Sequence, residues 1–193
     1  MLMKKLLYFH GFGSSGQTET VKILREFLPE FLVLSLDIPV DPKEALLYLK
    51  SMCKQGKPDI IVGTSIGALY AHQMHGFKRI CVNPALNLSE HSKVIYPGTF
   101  KFFNPRKDGQ QFFTITDVII QHFAEMEKQQ FDGIGDFDRE NVYGLFADND
   151  TVVNCLGLFC QHYRHYSFFH GEHHLTREAI QGSVVPLVRQ LVP

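Results

Sequence analysis

Asp59-Ile60-Ile61-Val62-Gly63-Thr64-Ser65-Ile66-Gly67 is the stretch from which the rest of the chain can be read. A short apolar run with the β-branched residues of a buried strand ends in a serine flanked by Gly63 and Gly67, and helical periodicity follows over Ile66–His75. This is G-x-S-x-G between a strand and a helix, the setting in which a serine occupies a sharp turn and its Oγ stands clear of the backbone. The glycines permit the turn because side chains there would block it, and the helix start beside Ser65 offers free N–H groups to a developing negative charge. The same few residues would also suit an ordinary strand-to-helix turn with Ser65 as a cap, so the motif needs partners elsewhere in the chain.

A serine hydroxyl is a poor nucleophile at neutral pH and requires an imidazole base that is itself oriented by a carboxylate. Both arrive later, at the ends of expected strands: Ala147-Asp148-Asn149-Asp150-Thr151-Val152-Val153, then His170-Gly171-Glu172-His173-His174-Leu175. The spacing Ala147-x-x-Asp150-x-x-Val153 is similar to the G-x-x-D-x-x-V turn of α/β-hydrolases and favours Asp150 as the acid, with Asp148 in reserve. Asp150 would equally cap a helix expected over Thr151–Tyr163. His173, two residues after a glycine, is favoured over the adjacent His174 as the base. The resulting chain order Ser, Asp, His is that of the α/β-hydrolases. His162, His165 and His170 fall on expected strands or helices as surface or core residues, and Glu172-His173-His174 lacks the spacing of a metal site.

Around this centre, short apolar runs alternate with helical stretches, which builds a parallel sheet covered on both faces. Six strands are expected at Lys5–Phe9, Phe31–Leu36, Asp59–Val62, Arg79–Val82, Asn141–Phe146 and His165–Phe169. Helices are expected over Thr18–Leu28, from Asp41-Pro42-Lys43-Glu44 onward, and over Thr176–Val192, where Pro186 should kink or end the last. The fold class is therefore α/β: an α/β-hydrolase fold of about six mainly parallel strands with helices on both faces. At 193 residues the chain fits a single domain, 1–193. From Pro84 to Phe137 the alternation lapses, and eight phenylalanines fall in that stretch. Residues 85–140 are expected to form a lid or cap insertion over the site, or else a satellite core. A net charge of −1 gives no field suited to nucleic acid or anionic lipid, so neither is expected as a partner. Four separated cysteines without a C-x-x-C read as reduced core residues, and the apolar run at Met1–His10 is too short for an export signal or a membrane span. A cytoplasmic protein is expected.

His10-Gly11-Phe12-Gly13-Ser14-Ser15-Gly16 admits two readings. It satisfies G-x-G-x-x-G after a strand, and Asp37 ends the next strand where a dinucleotide-binding fold keeps its ribose-binding acid. An NAD(P)-dependent oxidoreductase is thus one alternative, although it leaves Ser65, Asp150 and His173 unused. As an HG-x-G loop, the same residues would bring Phe12 N–H beside Ile66 N–H as the two donors of an oxyanion hole. This second reading joins four separate segments into one site.

Four of these segments resemble the YqiA-like esterases, small members of the α/β-hydrolase superfamily: Tyr8–Ser15, Gly63–Ala71, Val82-Asn83-Pro84-Ala85 and Gly171-Glu172-His173. The chain differs from that pattern at Gly16, Ala68 and His170. The resemblance implies a serine esterase acting on small acyl esters, carboxyl or thio, with Ser65, Asp150 and His173 as its triad, and with no metal or organic cofactor. A small-molecule acyl ester is the expected partner. A hydrolase fold that binds without turnover is the other alternative.

Overall fold

Alternate residues of the central strands divide between two cores, as expected of strands buried on both faces. In β1 (Lys4–Phe9), Leu7 and Phe9 face one core while Leu6 and Tyr8 face the other. The helix α1 (Glu19–Phe27) begins at Thr18, whose Oγ1 accepts the Val21 N–H, and leads to β2 (Phe31–Ser35). Next come α2 (Pro42–Gly56), capped by Asp41, then β3 (Ile60–Thr64), α3 (Ile66–Ala71) and β4 (Arg79–Val82). The insertion follows, with a hairpin of β5 (Gly98–Lys101) and β6 (Phe112–Ile115), then α4 (Asp117–Gln129) and α5 (Asp136–Asn141). The chain re-enters the sheet at β7 (Val142–Ala147) and continues through α6 (Leu156–His162), β8 (His165–Phe169), α7 (Arg177–Ala179) and α8 (Val185–Leu191). These elements come from a computed structural model that describes residues 3–91 and 93–193; Met1 and Leu2, the start of the apolar N-terminal run, lie outside the described residues.

The main sheet has six strands in the order β2-β1-β3-β4-β7-β8, and each neighbouring pair is parallel. Residues from α2, α3, α4 and α6 pack on one face, around Leu49, Leu69, Phe123 and Phe159. Residues from α1, α7 and α8 cover the other, around Leu24, Ala179 and Val188. The chain leaves β1 for β2 at one side and returns to β3 at the other, so the order reverses between β1 and β3. Ligands of open parallel sheets bind outside the carboxyl ends of strands at such a reversal. Both the glycine loop after β1 and the serine turn after β3 open there.

Several elements differ from the sequence expectation. The helix read over Thr151–Tyr163 begins only at Leu156, because Asp150 and the residues after it form a loop. Pro186 does not end the last helix; the turn before it, Ile180–Val184, widens to a π turn, which accommodates a residue that has no N–H, and α8 continues to Leu191. Cys53, Cys81 and Cys155 are buried as expected, but Cys160 is exposed on α6.

The insertion holds its own strand pair and two helices, and its far end is anchored in the core. Arg79, fully buried at the start of β4, binds Asp138 of α5 and donates to His72 O at 2.6 Å. Asp138 also meets His75 Nδ1 at 2.9 Å and accepts the Gly76 N–H at 3.2 Å. A buried guanidinium is tolerated only with such a set of partners. Among the described residues, no helix is long and apolar enough to cross a membrane.

Candidate active site

Ser65 lies between β3 and α3 with φ 55° and ψ −118°, a left-handed conformation rare for a residue with a side chain. The flanking glycines are explained by close approach. A Cβ on Gly63 would stand 2.3 Å from Gly67 O, and one on Gly67 would stand 2.1 Å from Phe9 O, both impossible distances. The turn is therefore wedged against the end of β1, and Ser65 Oγ faces the reversal point of the sheet.

The three expected reacting side chains come together. His173 Nε2 lies 3.0 Å from Ser65 Oγ, and His173 Nδ1 lies 2.7 Å from Asp150 Oδ2. The His173 and Asp150 side chains retain 9% and 8% of their exposure, so their contact is largely shielded from water. Asp150 caps no helix, since none begins at Thr151; its Oδ1 instead accepts the Val152 N–H at 2.8 Å and the Val153 N–H at 3.1 Å within a loop. One carboxylate thus fixes its own loop with one oxygen and the imidazole with the other. With Nδ1 donating to that carboxylate, Nε2 is left as the acceptor facing the serine hydroxyl.

The reserve residues are placed elsewhere. Asp148 is exposed and pairs with His170 at 3.0 Å while accepting the Gly171 N–H at 3.0 Å. Those bonds hold the Asp148 carboxyl below its usual range, and Asp148 in turn raises His170. His174 is exposed, its ring edge-on to His173 at 5.6 Å.

The loop after β1 passes directly over the serine: a Cβ on Gly11 would lie 3.6 Å from Ser65 Cβ. Phe12 N–H and Ile66 N–H donate to no acceptor among the described residues. His10 supports this loop. It is buried, its Nδ1 lies 2.9 Å from Gly11 O, and its Nε2 accepts the Ile38 N–H at 3.1 Å, which puts the ring proton on Nδ1. Burial lowers His10 to about 4, so it is neutral near pH 7. A narrow cleft continues from the loop, walled by Ile38, Val40, Ile66, Tyr70, Phe102 and Phe113.

Two residues hold the site without having been singled out for it. Asn83, at the end of β4 with φ 43°, accepts the Ala147 N–H at 2.7 Å and donates to His173 O at 3.0 Å and Glu172 O at 3.3 Å. It therefore joins the loops that carry Asp150 and His173. The available signal was an Asn at a strand end before Pro84, since Asn is among the few residues with side chains that enter the left-handed region readily. Asp37 is the second. Its Oδ1 accepts the Gly16 N–H and its Oδ2 the Lys107 N–H, each at 2.7 Å. Both carboxylate oxygens serve the glycine loop and the hairpin, so the acid that the dinucleotide reading assigned to a ribose is engaged in holding the loop.

Residues 5–129 match the model of UPF0227, described as an uncharacterised protein family. Among solved structures, Est1E from Butyrivibrio proteoclasticus is similar with a TM-score of 0.70 at 14% identity, over 98% of this chain and 88% of that one. The esterase domain of a Rhodothermus marinus protein is similar with a TM-score of 0.64 at 17% identity, over 97% and 87%. Alpha/beta hydrolase domain-containing protein 10 from mouse is similar with a TM-score of 0.65 at 14% identity, over 97% and 89%. The chain has the α/β-hydrolase fold, its six strands and both helical layers included.

Proposed function

Because the chain belongs to UPF0227, the YqiA family of esterases, we propose that it is a serine hydrolase cleaving small carboxyl esters or thioesters. The observation that carries this reading is the line Ser65 Oγ, His173 Nε2, His173 Nδ1, Asp150 Oδ2, with contacts of 3.0 and 2.7 Å. Ser65 Oγ attacks the acyl carbonyl carbon as its proton passes to His173 Nε2, and Asp150 stabilises the imidazolium so formed. The carbonyl oxygen takes up the negative charge and is held by Phe12 N–H and Ile66 N–H. Collapse expels the alcohol or thiol, which leaves with the proton from His173, and the acyl group stays on Ser65. Water repeats the attack with His173 as base and releases the acid. No step calls for a metal or an organic cofactor. Residues 85–140 supply part of the cleft wall through Phe102 and Phe113, and we read this insertion as the cap that shapes the acyl site.

Steady-state hydrolysis of p-nitrophenyl butyrate tests the proposal. Ser65→Ala and His173→Ala are each expected to lower kcat by about 10³-fold or more, as the loss of one member disables a triad that works as a unit. Wild-type protein without activity on p-nitrophenyl or thioester substrates would leave only a binding role for the fold.

A further inference from the structure

Among the described residues, the buried phenols are partnered, with one exception. Tyr8 Oη meets Thr64 Oγ1 at 2.8 Å, and Tyr163 Oη meets His72 Nδ1 at 2.9 Å. Tyr70 is as buried, at 2% exposure, yet its hydroxyl makes no hydrogen bond among the described residues. No side-chain oxygen or nitrogen sealed inside the described residues lacks a partner, so this hydroxyl is not sealed, and Tyr70 lines the cleft that continues from the oxyanion loop. Tyr70 follows Ile66 by one helical turn on α3, on the same helix face. Tyr70 therefore shares the cleft with Phe12 and Ile66, which carry the two oxyanion donors, and with the apolar side chains of Ile38, Val40, Phe102 and Phe113.

The position of the base decides which part of a substrate enters. The leaving alcohol takes its proton from His173 Nε2 and must depart on that side; Ser65, Asp150 and His173 stand outside the cleft lining, whereas Phe12 and Ile66, whose N–H groups hold the carbonyl oxygen, belong to it. The acyl chain is left to occupy it. An apolar chain end would bury the phenol with nothing to bond, which is unfavourable. A chain carrying oxygen at the right depth would remove that cost. Burial, together with the carboxylates of Asp41 and Glu127, pushes Tyr70 up, so the phenol stays a proton donor, and the same carboxylates disfavour an anionic chain end.

We propose that Tyr70 donates a hydrogen bond to a neutral oxygen within the acyl chain, making the enzyme selective for oxo-, hydroxy- or alkoxyacyl esters over plain alkanoyl esters of equal length. The proposal rests on the serine-hydrolase reading and specifies its substrate class. Paired p-nitrophenyl esters test it: levulinate against valerate, which differ by a ketone in place of a methylene, and methoxyacetate against butyrate, which differ by an ether oxygen. Dividing each enzymatic kcat/KM by the hydroxide-catalysed rate removes intrinsic reactivity. The wild type is expected to prefer the oxygenated member of at least one pair, and Tyr70→Phe to lower kcat/KM for that member about tenfold more than for its alkanoyl partner. The alkanoyl rates also report whether the variant is folded. Equal effects of Tyr70→Phe within both pairs, with the wild type active on all four esters, would overturn the substrate class and leave the hydrolase reading intact. Absence of activity on all four would overturn both.

Discussion

Ser65 is held in a conformation that costs on the order of 1–3 kcal/mol for a residue with a Cβ. Its backbone shows what holds it there: Ser65 N–H donates to Val82 O at 2.9 Å, and Ser65 O accepts from Ala68 at 3.0 Å, Leu69 at 3.2 Å and Ala85 at 3.3 Å. Ser65 is thus fixed from β4 as well as from its own helix. Asn83 extends the same control to the loops of Asp150 and His173, one side chain reaching Ala147 ahead of the first and the backbone of His173 itself. Asn83→Asp keeps a side chain that tolerates left-handed backbone but turns an N–H donor into an anion facing two carbonyl oxygens. We expect kcat to fall by about 10–100-fold with KM little changed, since misplacement of a base by a fraction of an ångström has effects of that order. Asn83→Gly, which retains the backbone and removes the bridge, should fall alongside it while melting near the wild type. Unchanged kcat in both would limit Asn83 to a structural role.

At the scale of elements, the hairpin of β5 and β6 is fastened to the loop that carries Phe12. Phe103 N–H donates to Gly13 O at 2.8 Å, Asn104 Nδ2 to Ser14 Oγ at 3.0 Å, and Ser15 Oγ to Pro105 O at 2.7 Å. The Phe12 and Phe113 rings meet edge-to-face at 5.3 Å. Asp37 completes the clamp from the end of β2. Asp37→Ala removes two charge-assisted bonds and is expected to lower stability by about 2 kcal/mol in chemical denaturation, and kcat/KM by about tenfold, through a looser oxyanion donor. A variant equally stable and equally active would show that the clamp is dispensable.

This hairpin was also the least legible part of the chain. The strands of the main sheet were readable to within a residue or two: burial on both faces writes a continuous apolar run in central strands such as β3 and β4, and the edge strand β8, largely exposed, is marked by its run of aromatic residues; β4 and β8 have the expected bounds. β5 and β6 are four residues each, half exposed and separated by a glycine- and proline-bearing loop, too short for alternation to register. α4 did carry a signal: Thr116 caps it, and Ile119, Ile120, Phe123 and Met126 follow at helical spacing toward the core. In the site, Ser65, Asp150 and His173 were legible because each sits in a motif that names a chemistry. Asn83 and Asp37 act by bridging segments far apart in sequence, and such bridges exist only in the folded chain. The over-long helix at Thr151 has the same origin, since Asp150 spends its cap-like bonds on a loop that His173 fixes from outside.

For the whole molecule, two buried histidines tie stability to pH. His10 is lowered to about 4 and His72 to about 3, chiefly by burial, and His72 is locked between Tyr163 at 2.9 Å and Gln130 at 3.1 Å. Both are neutral in the fold and take up protons in the unfolded chain near pH 6.5. Their contribution is therefore fully present above about pH 6.5 and is lost as the pH falls through the folded values. Between about pH 7.5 and about pH 5 each should remove ~2 kcal/mol from the unfolding free energy. Urea denaturation at the two pH values checks this, and equal midpoints would contradict it. His170, raised by exposed Asp148, works in the opposite sense: its contribution is present below the ordinary imidazole range and lost as the pH rises through the raised value.

The central claim is that Ser65 is a nucleophile made reactive by His173 and Asp150, and covalent labelling with a fluorophosphonate followed by peptide mapping addresses it most directly. The account predicts a single adduct on Ser65, absent in Ser65→Ala and formed far more slowly in His173→Ala. A wild-type protein that stays unmodified, or that is modified elsewhere while Ser65→Ala reacts at the same rate, would contradict it.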